Sequence, residues 1–253
     1  MSGKRYLVTG ASRGIGAAVV DALARRGDRV MAFGRDEAAL RAVAQPHRKK
    51  VWVAVGDLRH ARARDRLVGK AVDALGGLDG LVQCAGVVRY EGVGGIGEDA
   101  LREQLDVNLV GPLMLAQSAV EPLSESRGAI VNVTSTLAAR PAPGTAAYAA
   151  TKAAMVAWTK TFAAELAPRV RVNAVAPGVV DTQMIRQVRL APGEAMPEDP
   201  VTRIADQLEA LRGLHPLGRL GDPRDVAEAV LYLLDAQWVT GSVLTVDGGL
   251  TAC

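Results

Sequence analysis

Short apolar runs alternate along this chain with longer stretches of helical periodicity, and that alternation limits the possible folds more than any other feature. Tyr6-Leu7-Val8 is the first run. A helix is predicted from about Gly14 to Arg26, with Ile15, Val19 and Leu23 four apart on one face and Gly27 as its stop. Arg29 to Phe33 reads as a second strand, and Asp36 as the cap of a short helix ending before Pro46. Further strands are expected at Val51 to Val55, Leu81-Val82, Ala129 to Val133, Val170 to Val175 and Val243 to Val246. Helical regions cover Asp99 to about Leu123 and Tyr148 to Ala167, the second stopped at Pro168. Near-continuous apolar strands between helices imply a parallel sheet buried on both faces. Right-handed crossovers then give an α/β fold, a doubly wound seven-stranded parallel sheet of the Rossmann type. With 253 residues, 49% of them apolar, the whole chain 1–253 suits one domain with one large core.

Charge excludes some partners. Thirty basic and 27 acidic side chains leave a net charge of +3, and no basic block alternates with aromatics, so no nucleic acid is expected. The densest basic stretches, His47 to Lys50 and Arg59 to Arg66, read as a solvated loop and helix face, with attraction of an anionic ligand as the alternative. Cys84 and Cys253 are too few for a disulfide framework, and His47, His60 and His215 are too scattered for a metal site. No apolar stretch reaches the roughly 20 residues that span a bilayer. Met1 to Arg5 holds no apolar signal region, so a cytoplasmic protein with no membrane partner is expected.

Thr9-Gly10-Ala11-Ser12-Arg13-Gly14-Ile15-Gly16 lies between the first strand and the first helix. Glycines there let the backbone turn sharply and approach a pyrophosphate, while the helix N-terminus offers free N–H groups and positive dipole. A glycine triplet alone is weak, because any tight strand-to-helix turn can use one. Its position at the first βα turn is what the mechanism requires.

The spacing Gly-x-x-x-Gly-x-Gly resembles the cofactor motif of the short-chain dehydrogenase/reductase family, and the resemblance runs almost the full length. Asp57-Leu58 matches the family's adenine-contacting pair, and Cys84-Ala85-Gly86 the end of the motif after the fourth strand. Asn108, Ser135, Tyr148 and Lys152 match its catalytic asparagine, serine and Tyr-x-x-x-Lys motif. Pro177-Gly178, Val180 and Thr182 match the nicotinamide-side loop, and Val246-Asp247-Gly248-Gly249 its C-terminal motif. The resemblance implies a nicotinamide cofactor held by Gly10, Ser12, Arg13, Gly14, Ile15, Gly16, Gly34, Arg35 and these later segments. The chain departs where the family has Asn-Asn-Ala-Gly and this sequence has Gln83-Cys84-Ala85-Gly86, which bears on packing at the sheet centre. Cys84 reads as a small core residue rather than a nucleophile.

Tyr148 and Lys152, four apart on a predicted helix, share a face. A tyrosine pKa of about 10 makes a poor base at neutral pH. A neighbouring ammonium and a positively charged nicotinamide ring favour phenolate, so Tyr148 exchanges a proton with an alcohol or carbonyl oxygen. Lys152 also holds the nicotinamide ribose, as the resemblance implies. Ser135 lies just past the fifth strand and can bond the reacting oxygen, with Thr134 and Thr136 as rivals and Leu137 beside it on the substrate side. Asn108 either holds a proton-relaying water or bridges its helix to the backbone.

An acidic residue ending the second strand would bind both ribose hydroxyls and repel a 2′-phosphate. Gly34 stands there, followed by Arg35, with Arg13 in the glycine loop. Two guanidinium groups suit a phosphate, so NADP(H) is favoured over NAD(H), with Asp36 either turned inward or capping a helix. The expected reaction is reduction of a small-molecule ketone. A 3-oxoacyl-carrier-protein reductase is the alternative, and a non-catalytic NADP(H)-binding sensor or scaffold is the rival of another class. The segment 186–212 reads as a substrate lid, irregular to Pro200 and then an amphipathic helix with Ile204, Leu208 and Leu211 on one face. Val156, Trp158 and Phe162 are more apolar surface than one sheet face needs, and the resemblance implies a homotetramer or homodimer.

Overall fold

The computed structural model describes residues 3–188 and 196–252; the segment 189–195, with Pro192 and Gly193, lies outside the described residues. The first half of the chain runs β1 (Arg5–Thr9), α1 (Gly14–Arg26), β2 (Arg29–Gly34), α2 (Glu37–Ala44), β3 (Val51–Val55), α3 (Ala61–Leu75) and β4 (Gly80–Gln83). Three helices, α4 (Glu98–Leu105), α5 (Gly111–Ser118) and α6 (Val120–Ser126), lead to β5 (Ala129–Val133). There follow α7 (Ala146–Leu166), β6 (Arg171–Pro177), α8 (Pro200–Gly213), α9 (Pro223–Asp235) and β7 (Val243–Val246). The sheet order is β3-β2-β1-β4-β5-β6-β7 and every pairing is parallel. This is the doubly wound, seven-stranded Rossmann-type sheet that the alternation predicts.

Strand pleating divides the core in two. Tyr6 and Val8 of β1 face a layer with Val19 and Leu23 of α1 and Val226, Val230 and Leu233 of α9. Leu7 faces the opposite layer, with Leu67 of α3, Leu115 of α5 and Met155 of α7. Because β4 lies on the far side of β1 from β2, the chain changes direction between them, and a crevice opens at the carboxyl ends of those strands.

Several details differ from the sequence reading. The helical region expected to run from Asp99 is broken by a π-helical turn at Asp106–Val110, where the Gly111 N–H bonds the Asp106 carbonyl five residues back. Pro112 has no N–H to continue the α-helical ladder there. Helices α3 and α9 went unnamed in that reading; α9 opens on a capping box between Asp222 and Asp225. Arg64 corrects the solvated-face reading of the second basic stretch. It is buried, and its Nη1 donates to the carbonyls of Leu58 at 2.5 Å and Arg59 at 3.0 Å, filling acceptors left open where β3 ends. Trp158 is buried within the core and edge-on to Phe162 at 5.0 Å, so it adds nothing to the outer surface.

Candidate active site

The β1–α1 turn forms a tight cradle. Gly10 has φ +64°, and a Cβ there would lie 2.6 Å from the Ala85 nitrogen; one on Gly16 would lie 2.2 Å from the Gly10 carbonyl oxygen. Only hydrogen fits at either place. No side chain caps α1, so its first N–H groups are available to an anion. The cradle opens into a cleft of about 440 Å³. Gly10, Ser12, Arg13, Gly14, Ile15 and Gly16 line its floor, Gly34 and Arg35 its β2 side, and Asp57 and Leu58 its β3 side. Cys84, Ala85 and Gly86 carry it past β4, and Thr182 closes it from above.

Other predicted residues fall elsewhere. Gly178 and Val180 line a separate cavity of about 270 Å³ with His215 and Asp247, while Pro177 ends β6. A Cβ on Gly178 would lie 2.9 Å from Asp247, so close packing against the strand that follows requires glycine there. Conversely, Phe33, Gly56 and Gln183 line the main cleft without having been singled out. Phe33 and Gly56 carried a usable signal, since both stand at the carboxyl end of a strand. Gln183 had none beyond following Thr182.

Behind Gly86, outside the residues that line that cleft, four polar side chains gather. A Cβ on Gly86 would lie 3.5 Å from Asn108 Oδ1 and 3.6 Å from Lys152 Nζ. Lys152 Nζ donates to the Val133 carbonyl at 2.8 Å and lies 5.6 Å from the centre of the Tyr148 ring. Tyr148, Lys152 and Ser135 are all buried. Ser135 Oγ accepts from the Leu137 N–H at 3.1 Å, and its hydroxyl lies near enough to Tyr148 to influence the phenol. Thr134 is turned away, its hydroxyl donating to the Val175 carbonyl at 2.8 Å. Asn108 sits in the π-helical turn and bridges it to the backbone, donating to Val87 O and accepting from Val87 N, each at 2.8 Å. Its other amide hydrogen reaches Thr151 Oγ1 at 3.2 Å. That bridge is the second of the two roles open to it in the sequence. Gln83 extends the polar interior, with Nε2 donating to Asn132 Oδ1 at 3.3 Å and Asn132 in turn to Thr159.

Burial sets the protonation states. It raises the Tyr148 phenol well above its usual range, Tyr90 adds to the rise, and Ser135 opposes it. Burial also lowers Lys152 to about 8, with Cys84 opposing. The expected pull toward phenolate comes from a neighbouring ammonium and a positively charged nicotinamide ring together. In the protein alone Lys152 points at Val133, desolvation dominates both groups, and Tyr148 rests as the neutral phenol. Burial pushes the Cys84 thiol up to about 12, which leaves it protonated and inert at neutral pH.

On the β2 side of the cleft, Asp36 caps α2 by accepting from the Ala39 N–H at 3.0 Å, and its second oxygen pairs with Arg13 at 3.0 Å. Arg35 is exposed on the rim near Asp57. A Cβ at Gly34 would come no closer than 3.7 Å to its neighbours, so no carboxylate reaches the cleft from that position although space exists for one. No group of side chains suited to a metal ion occurs among the described residues.

Residues 10–251 match the family profile described as enoyl-(acyl carrier protein) reductase. The chain belongs to the short-chain dehydrogenase/reductase family. It is 37% identical to an uncharacterized oxidoreductase of Methylorubrum extorquens, over 99% of this chain and 98% of that one. It is 33% identical to a 3-oxoacyl-[acyl-carrier-protein] reductase of Aquifex aeolicus, again over 99% and 98%. Among solved structures it resembles ligand-free aldohexose dehydrogenase of Thermoplasma acidophilum, with a TM-score of 0.87, 30% identity and coverage of 99% and 95%. As a member of this oxidoreductase family, the chain has a nicotinamide dinucleotide as its cofactor, and the cradle at Gly10 and Gly16 has the close backbone approach that a pyrophosphate needs.

Proposed function

We propose that this short-chain dehydrogenase/reductase is an NADP(H)-dependent carbonyl reductase, with Tyr148 as its proton donor. One observation carries the reading: a neutral, buried tyrosine lies beside Lys152, whose ammonium stands next to Gly86 of the cleft. The nicotinamide supplies the hydride in reduction and accepts it in oxidation. Tyr148 Oη gives its proton to the carbonyl oxygen as negative charge develops there. Ser135 Oγ bonds the same oxygen, and Leu137 borders the substrate. Lys152 takes up charge readily near neutral pH and so stabilises the phenolate left behind. Asn108 holds the π-helical turn against Val87 and keeps that wall of the site in place. Gly10 to Gly16 cradle the pyrophosphate, Asp57 and Leu58 border the adenine, and Cys84 to Gly86 and Thr182 enclose the nicotinamide half.

NADP(H) is favoured because Arg13 and Arg35 flank the adenosine end, Gly34 offers no carboxylate there, and Asp36 is occupied as a cap and ion-pair partner. A second reading, reduction of a 3-oxoacyl group on a carrier protein, draws on the named activity of the Aquifex relative. A sensor that binds cofactor without turnover has less support, since Tyr148 and Lys152 are both present and juxtaposed. We further propose that α8 belongs to a substrate lid, that the chains self-associate as homotetramers or homodimers, and that the protein works in the cytoplasm, where the free thiol of Cys84 stays reduced.

The deciding experiment offers ketones, reducing sugars and β-ketoacyl thioesters with NADPH and with NADH, and follows nicotinamide absorbance. Ketone reduction faster with NADPH is expected, and Tyr148→Phe should cut turnover by roughly a hundredfold or more while binding cofactor normally. Turnover of the wild-type order in that variant would remove Tyr148 from the mechanism.

A further inference from the structure

Arg13 does more than border the cleft. Its Nη1 donates to Gln183 Oε1 at 2.6 Å and its Nη2 to Asp36 Oδ2 at 3.0 Å. One guanidinium thus ties together the glycine loop, the β2–α2 turn and the short helical turn that follows β6. All three residues line the main cleft. Beside this tie, Thr182 rests on the glycine loop, where a Cβ on Gly14 would lie 3.1 Å from its methyl group. The foot of the segment after β6 is therefore fastened across the adenosine end of the cleft.

We propose that Gln183 is a specificity residue for that end: it holds Arg13 in a resting latch that a ribose 2′-phosphate opens and a ribose hydroxyl does not. The inference rests on the NADP(H) reading above. The two acceptors on Arg13 are unequal. Asp36 is charged and fixed by its cap on α2, whereas Gln183 is a neutral amide on an exposed side chain. A guanidinium grips phosphate best through two parallel N–H groups, and both terminal nitrogens of Arg13 are engaged. A 2′-phosphate is a stronger acceptor than an amide oxygen and takes the place of Gln183, the weaker partner. A hydroxyl has neither the charge nor the second acceptor needed to do so. Recognition of the phosphate and release of Gln183 from Arg13 are then one event.

The test measures binding rather than turnover. Adenosine 2′,5′-bisphosphate and adenosine 5′-monophosphate are titrated calorimetrically into the wild-type protein, Gln183→Ala and Gln183→Glu. Removing the latch should tighten the bisphosphate by about three- to tenfold. A carboxylate holds Arg13 harder and repels the phosphate, so Gln183→Glu should weaken it by at least about tenfold. The monophosphate should bind all three proteins alike, which also shows the cleft intact. A bisphosphate affinity that ignores the substitutions, or a monophosphate affinity that changes in step, would overturn the latch. Two further titrations separate this from the parent reading: NADP⁺ against NAD⁺ on the wild type, and NADP⁺ on Arg35→Ala. If NADP⁺ wins and Arg35→Ala weakens it while the Gln183 series stays flat, the cofactor reading stands and the latch falls. If NAD⁺ wins while the bisphosphate still follows the series, the latch stands and the cofactor reading falls.

Discussion

Burying Lys152 costs the fold stability. Burial brings it from 10.5 to about 8, so below pH 8 the folded protein carries an ammonium that would be better hydrated in the unfolded chain. The unfolded state holds its proton more tightly across the window from about pH 8 to 10.5, and stability therefore rises with pH through that window. Lys152→Met should consequently stabilise the protein at pH 7 by up to roughly 3 kcal/mol, less whatever is lost by leaving the Val133 carbonyl without its donor. Thermal melts should show a higher Tm for the variant at pH 7 and a gap that narrows toward pH 10. A variant that melts lower at pH 7 would mean that the bond to Val133 outweighs the burial of charge. Residues of this kind were legible in the sequence because a motif fixed their spacing: Tyr148, Lys152 and Ser135 come together as their positions imply. Gln183 was not, because its partner Arg13 lies on a distant loop, and Arg64 was not, because a charged side chain folded back onto the carbonyls just before its own helix leaves no mark in the periodicity.

Helix α8 is amphipathic without being anchored. None of its residues is fully buried, and Ile204, Leu208 and Leu211 form a half-buried stripe. Its far end is pinned by His215, whose Nδ1 bonds the Leu211 carbonyl at 2.8 Å while Nε2 accepts from the Val179 N–H at 3.2 Å. A helix held mainly at one end suits the lid role proposed above. Hydrogen exchange should therefore slow across 196–211 when NADPH binds, and slow further with a substrate analogue. Unchanged exchange in both complexes would leave substrate choice to the walls at Val87 and Leu137. The strands and their parallel arrangement were legible because apolar runs in a two-sided sheet have few alternatives. The π-helical turn was not, since periodicity spreads evenly over 98–118, and Pro112 by itself also suits an ordinary helix start.

At the scale of the molecule, exposed apolar side chains are scattered, and two groups of them stand on or beside regular elements. Val110 and Met114 lie on one helical face, while Tyr232 and Trp238, the latter 99% exposed, flank the edge strand β7. Self-association would cover both, and sedimentation at micromolar concentration should find two or four chains together; a monomer would refute it. The packing of α1 carries a different consequence, one of timing. Val19, Val20 and Leu23 are covered by Val226, Val230 and Leu233 of α9, and Asp235 at the end of that helix pairs with both Lys4 and Arg26. During synthesis the ribosome delivers the first helix long before the ninth, at about 5–20 residues per second, so that face waits on the order of ten seconds or more for its cover. Throughout that interval the nascent chain displays a greasy flank that only its last fifth can hide. The protein's exposure to chaperones and to aggregation is thus decided by how soon its tail is translated.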